Sequence, residues 1–278
     1  MTVGRLNCKH QTLSLNERTL IMGILNVTPD SFSDGGRYVD IDTAVERARL
    51  MVAEGADIID IGGESTRPGA AIVTEEEELR RVIPAIRAIR EAGLTTPISI
   101  DTYKAEVARQ ALEAGADIIN DIWGLQKDRA MASVAVSHNA PIVLMHNRDE
   151  AVYANFIHDV INDLRRTVDR AHEAGIRDDQ IILDPGIGFA KSHEQNLQLM
   201  NYLDRIVALG YPVLLGTSRK RMIHRTLELP PDEVVFGTAA TVVYGIVQGC
   251  RIVRVHDVQA MKKTAVMTNA MLAQKELE

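Results

Sequence analysis

The chain is poor in cysteine, in aromatic residues and in positive charge. Only Cys8 and Cys250 are cysteines among 278 residues. That excludes a disulfide framework and a thiolate metal site of CxxC type, and it leaves two isolated thiols suited to a reducing compartment. Lys and Arg number 31 against 38 Asp and Glu, a formal net charge of −7. With no basic run beyond Arg219-Lys220-Arg221, the electrostatic footprint for gripping a nucleic-acid backbone is missing. Pro, Asp or Arg interrupts every apolar run long before the roughly 20 residues of a membrane-crossing helix. The segment from Met1 to His10 lacks the apolar stretch of a signal peptide. The expectation is a cytoplasmic protein with neither nucleic acid nor membrane as partner. No Gly-x-Gly-x-x-Gly follows a strand, which leaves dinucleotide binding without support. Gly216-Thr-Ser-Arg-Lys220 lacks the leading glycine and the spacing of a phosphate-binding P-loop.

What is present is ordinary globular material, 46% hydrophobic and 25% charged, enough for a sizeable core. Short β-branched runs alternate with segments of helical spacing, the pattern of a parallel sheet. The spacing predicts strands at Leu20 to Leu25, Asp57 to Ile61, Ile98 to Ile100, Asp117 to Ile119, Pro141 to Met145, Ile181 to Leu183, Pro212 to Leu215 and Arg251 to Val255. Between them lie helix signals, such as the capping box of Thr74 and Glu77, followed by Leu79, Val82, Ile83, Ile86 and Ile89 and closed by Gly93. A weak repeat supports the unit: Gly55-Ala-Asp-Ile-Ile-Asp60 recurs as Gly115-Ala-Asp-Ile-Ile-Asn120. Eight units without a linker predict a single α/β domain over residues 1–278, a closed (β/α)8 TIM barrel. Residues 3–17 stand outside the pattern and predict a short β-hairpin covering the N-terminal end of the barrel.

Chemistry in such barrels sits at the C-terminal ends of the strands. Those ends read Asn26, Gly62-Gly63-Glu64, Asp101, Asn120-Asp121, His146-Asn147, Asp184, Thr217-Ser218 leading to Lys220, and Arg254 with His256, a convergence that predicts a ligand site. Residues two apart share a strand face, so Asn26, Arg254 and His256 are expected to cluster and to suit a phosphate oxygen and a metal carrying it. Arg254 salt-bridged to a barrel carboxylate is the plainer alternative. Asp101, Asn120, Asp184 and Lys220 offer acceptors, an amide and an ammonium that fit a flat heterocycle such as a 2-amino-4-oxopyrimidine. A structural Asp184–Lys220 ion pair and a carboxylate site for a divalent metal remain open beside that reading. Two turn-rich stretches, Val27 to Arg37 and Gly62 to Gly69, carry Phe32, Arg37, Thr66 and Arg67 and read as loops over the mouth.

At these residues the sequence resembles the dihydropteroate synthase family of pterin-binding enzymes. The matching segments run from Gly23 to Gly36, from Asp60 to Gly69 and from Ile100 to Thr102, then Asn120-Asp121, Met145-His146, Asp184 to Phe189, Gly216 to Lys220 and Arg254 to Asp257. The resemblance implies that p-aminobenzoate displaces pyrophosphate from 6-hydroxymethyl-7,8-dihydropterin pyrophosphate, with Mg²⁺. It implies that Asp101, Asn120, Asp184 and Lys220 hold the pterin. Asn26, Arg254 and His256 would hold the pyrophosphate, with Mg²⁺ near Asn26; the two loops would close over the site, Thr66, Pro68, Phe189 and Lys220 shaping the arylamine pocket and Arg67 contacting substrate.

Asp101, Lys220, Arg254 and His256 would carry the catalysis, Asp101 and Asp184 steadying positive charge in the ring while Mg²⁺, Arg254 and His256 steady the leaving group. Many members place a small Ser after the lysine and a Gly near the start of the next helix. Here Arg221 and His224 stand in those places, which opens the question of what holds the benzoate carboxylate. The rival readings are a pterin-binding methyltransferase domain, a non-catalytic pterin-binding relative and a Schiff-base aldolase using Lys220. In the C-terminal helix, Val258, Met261, Val266 and Met271 must pack on the barrel or on a second copy, and the family likeness favours a homodimer.

Overall fold

The computed structural model describes residues 4–9, 11–28, 37–64 and 73–274. A short antiparallel hairpin, β1 (Arg5–Asn7) and β2 (Thr12–Ser14), comes first. The barrel strands are β3 (Leu20–Asn26), β4 (Ile58–Gly62), β5 (Ile98–Asp101), β6 (Ile118–Asp121), β7 (Ile142–Met145), β8 (Ile181–Asp184), β9 (Leu214–Leu215) and β10 (Ile252–Val255). They pair in parallel in the order β8-β7-β6-β5-β4-β3-β10-β9. A single bridge from Leu183 to Val213 completes the ring. All eight strands predicted from the sequence are there. The seventh is shorter than its apolar run, because only Leu214 and Leu215 enter the ladder.

The helices between strands are α1 (Arg37–Ala53), α2 (Glu75–Glu91), α3 (Ala105–Ala114), α4 (Met131–Ser137), α5 (Phe156–Glu173), α6 (His193–Met200) with α7 (Leu203–Val207), α8 (Arg221–Leu227) with α9 (Val235–Val247), and α10 (Val258–Ala273). Thr74 caps α2 by accepting the Glu77 N–H at 3.3 Å. The Glu77 carboxylate reaches forward to Arg81 at 2.8 Å, so only half of the expected capping box forms.

Strand alternation divides the apolar residues into two cores. Outward-facing Ile21, Ile59, Ile61, Ile100, Ile119, Leu144, Leu183 and Val253 pack under the helices. Inward-facing Leu20, Met22, Ile58, Ile118, Val143, Ile182, Leu214 and Ile252 fill the lower barrel, where Leu6, Leu13 and Leu15 of the hairpin segment join them as a floor. The repeat has a structural meaning. Asp57 Oδ2 accepts the Ile21 N–H at 2.9 Å and Asp117 Oδ2 accepts the Ile98 N–H at 2.9 Å, each locking the start of its strand to the preceding one. Arg18 and Arg90 neutralise these carboxylates. Gly55 and Gly115 turn the chain with φ of +102° and +122°, which only glycine adopts without strain.

Candidate active site

One step above the lower core, the inward positions turn polar: Asp60 on β4, Asp101 on β5, Asn120 on β6, Asp184 on β8 and Arg254 on β10. Each stands two residues beyond an inward apolar or small residue (Ile58, Ser99, Ile118, Ile182, Ile252), so the same alternation that builds the floor aims these groups into the mouth. Arg254 donates from Nε to Asp60 Oδ2 and from Nη2 to Asp101 Oδ2, both at 2.6 Å. Asn120 donates from Nδ2 to the Asp60 carboxylate at 3.3 Å. Asp184 Oδ1 accepts the Gly186 N–H at 2.7 Å.

Asp101 is left with one oxygen wanting: its Oδ1 is buried and, among the described residues, has no hydrogen-bond partner. Burial, opposed by Arg254 and reinforced by Asp60 and Glu78, pushes its carboxyl up to about 7. Burial likewise raises Asp184 above the usual carboxylate range, against the pull of Lys220.

Lys220 N-caps α8. Its ammonium stands 4.6 Å from the centre of the Phe189 ring and donates to the Ile187 carbonyl. Desolvation lowers it to about 8, with Asp184 opposing. Asp184 and Lys220 share a wall without making the structural ion pair that was one alternative. Arg221, the first residue of α8, is exposed, and His224 is partly buried one turn further on. Thr66, Arg67, Pro68 and Phe32 lie outside the described residues, as does the Arg37 side chain.

Two expectations change. Arg254 leans across to β4 and β5, as the plainer alternative had it, so the residue expected on the phosphate wall also grips the ring wall at Asp101. The two walls share one guanidinium. His256 sits beside Ser218, with Nδ1 to Oγ at 3.0 Å. His146, counted among the polar strand ends, turns away from the mouth to meet Asp163 of α5 at 3.1 Å. Asp121 also faces outward, accepting the Trp123 and Leu125 N–H groups, and Asn147, past the end of β7, donates to the Ile122 carbonyl. Asp60 was missed. The repeat that aligns it with Asn120 was the available signal.

The family described as pterin-binding enzymes matches residues 22–256. The chain belongs to that family. A dihydropteroate synthase of Clostridium beijerinckii is 58% identical over 260 residues, covering 93% of this chain and 96% of its own. That of Bacillus subtilis is 58% identical over 268 residues, covering 96% and 93%. Among solved structures, the Xanthomonas albilineans dihydropteroate synthase with 4-aminobenzoic acid superposes with a TM-score of 0.92 at 41% identity, covering 100% of both chains. The Clostridium difficile enzyme in the presence of pteroic acid superposes with a TM-score of 0.89 at 49% identity, covering 92% and 97%. The activity of the family member described above is dihydropteroate synthesis, a transferase reaction of folate biosynthesis. The methyltransferase, non-catalytic and aldolase readings fall with that result.

Proposed function

We propose that the dihydropterin ring lies among Asp101, Asn120, Asp184 and Lys220, with its pyrophosphate against Arg254, His256 and Asn26. The observation that carries this reading is the unpartnered Asp101 Oδ1. A buried acceptor without a donor costs roughly 1–3 kcal/mol, and the amino-pyrimidine edge of a pterin presents the N–H donors that satisfy it. Asn120 supplies both donor and acceptor, and the Lys220 ammonium, still protonated at pH 7, faces the ring carbonyl.

The C–O bond to the pyrophosphate breaks with its electron pair on the bridging oxygen, and the arylamine lone pair forms the new C–N bond to the methylene carbon. The amine then loses a proton to water. As positive charge grows in the ring, Asp101 and Asp184 lie beneath it, while Arg254 and His256 meet the charge on the departing oxygens. These groups are in place before the reaction begins. No side-chain nucleophile is needed.

Among the described residues no group of three His, Cys, Asp or Glu side chains could hold a metal ion. Yet Asn26 Oδ1 and Asp101 Oδ2 both converge on Gly62, each 3.7 Å from where a Cβ there would sit. Such hard oxygens suit Mg²⁺ carried in by phosphate and water. Asn26 would hold it, and when bound it would neutralise charge on the leaving group.

Phe189, Lys220 and Arg221 line the arylamine side in this reading, together with Thr66, Arg67 and Pro68. On the outer face of α9 and α10, Phe236, Val247, Val266, Met267 and Met271 are exposed, while Val258 and Met261 pack inward. This face supports a homodimer. Among the described residues no helix is long and apolar enough to cross a membrane, and Cys8 and Cys250 are unpaired thiols. We place the enzyme in the cytoplasm.

The test is pyrophosphate release with and without p-aminobenzoate, in the wild type and in Asp101→Ala. The variant should raise KM for the pterin substrate at least tenfold. An unchanged KM would overturn the assignment.

A further inference from the structure

Lys191 lies past the end of β8, outside the ring of polar groups in the mouth. Its ammonium meets three acceptors, the Gly186 carbonyl, the Phe189 carbonyl and His146 Nδ1, each at 2.9 Å. Burial, opposed by Asp184, lowers this ammonium to about 7; in its protonated form its three donors match the three acceptors, and His146 then accepts at Nδ1. The other ring nitrogen, Nε2, then carries the proton and donates to Asp163 Oδ2 at 3.1 Å. Arg148 holds that same oxygen from Nε at 2.6 Å. His146 is thus a neutral relay, and burial, opposed by the Asp163 bond, takes it down to about 4.

The segment that Lys191 closes is the turn from Asp184 to Ala190. It is tightly wound: Gly186 has φ of +69°, and a Cβ there would fall 2.0 Å from the His146 carbonyl oxygen. Three groups of the proposed site depend on it. The Gly186 N–H sets the Asp184 carboxylate, the Ile187 carbonyl takes the Lys220 ammonium, and the Phe189 ring lies under that ammonium.

We propose that Lys191 is a positioning residue for the arylamine side of the site, its ammonium pinning the Gly186 and Phe189 carbonyls so that Ile187 and Phe189 hold Lys220 in place. His146 and Asp163 in turn fix the ammonium. This inference rests on the reading that Phe189 and Lys220 border the arylamine.

The test is steady-state kinetics of Lys191→Met, Phe189→Ala and the double variant, with calorimetry of a phosphate-free pterin. Small displacements of positioned groups cost up to roughly a hundredfold. Lys191→Met should raise KM for p-aminobenzoate at least tenfold and weaken pterin affinity by clearly less, because Asp101 and Asn120, which the turn does not position, still hold the ring when Asp184 and Lys220 shift. In the Phe189→Ala background the same substitution should cost less than threefold, because its effect passes through the turn. Lys191→Gln, which keeps two donors, should fall between wild type and Met, and it serves as the test if the Met variant does not fold. Equal losses for both substrates, or full additivity with Phe189→Ala, overturn the inference while leaving the arylamine reading intact. If Phe189→Ala itself leaves KM for p-aminobenzoate unchanged, the arylamine reading falls and this inference falls with it.

Discussion

Arg254 Nε lies 2.6 Å from Asp60 Oδ2, at a position where Asp60 is fully buried. The pair sits at the bottom of the mouth and orients both neighbours, since Asp60 also accepts from Asn120. Removing one member of a buried ion pair leaves an uncompensated charge and costs about 3–5 kcal/mol. Asp101 still neutralises Arg254, so Asp60→Ala should fall at the low end of that range in urea unfolding. Its turnover should fall more than its affinity for either substrate. A variant as stable as wild type would show that the Asp60–Arg254 pair does not stabilise the fold.

In the proposed site, pterin binding should depend on pH through Asp101. Its carboxyl is raised from 3.8 to about 7, so between about pH 4 and pH 7 the folded chain holds a proton that the unfolded chain has lost. Stability attributable to this group is therefore greatest at the acid end of that window and declines as pH rises through it. Ligand affinity runs the other way, because the ionised form accepts ring N–H donors with charge assistance, whereas the protonated carboxyl turns an O–H donor toward them. Calorimetry of a phosphate-free pterin should show affinity falling about tenfold per pH unit below 7, a slope that Asp101→Asn abolishes.

Arg254→Ala extends the same logic. The guanidinium holds the Asp101 carboxyl down, so its loss drives that carboxyl further up. Phosphate-free pterin should then bind more weakly at pH 7 and recover as pH rises toward 9. Asp184→Asn should lose affinity by roughly ten- to a hundredfold, about 1.5–3 kcal/mol, with no such recovery. An Arg254→Ala affinity independent of pH would separate Arg254 from ring recognition.

The hairpin floor is a matter of packing. Leu6 is 1% exposed against the inward lower layer, and Leu→Ala at buried sites costs about 2–5 kcal/mol. Leu6→Ala should lower the unfolding free energy measured in urea by that amount and leave KM for both substrates unchanged.

For the proposed dimer, Phe236 is 85% exposed on α9 and Met267 is 60% exposed on α10. Phe236→Glu combined with Met267→Glu should convert a dimer to a monomer in sedimentation equilibrium. A wild-type chain sedimenting as a monomer would remove this face from the interface.

The barrel and most of its inner polar ring were legible because strand period and strand ends are local features. Asp60 escaped because only terminal residues were read as functional, although the pairing of Asp60 with Asn120 in the repeat marked a shared inward position. His146 misled for the related reason that a polar residue at a strand end has two faces to choose from. Met145 takes the inner one and His146 the outer. That Arg254 would cross the barrel to two carboxylates depends on side-chain reach between non-adjacent strands, which no local pattern encodes.

The ring of strands has a seam. Between β8 and β9 it is joined by the bridge from Leu183 to Val213, with the Leu183 N–H donating to the Pro212 carbonyl at 2.9 Å. Every other neighbouring pair shares at least two register positions. This line is where the barrel should part most readily, and amide exchange at Leu183 would report it despite complete burial. Asp184 stands on one lip and Gly216 leads from the other toward Lys220. A pterin held by both lips, as proposed, would act as a clasp: a filled mouth should slow exchange at Leu183 more than at other strand residues, tying ligand binding to the weakest join of the barrel.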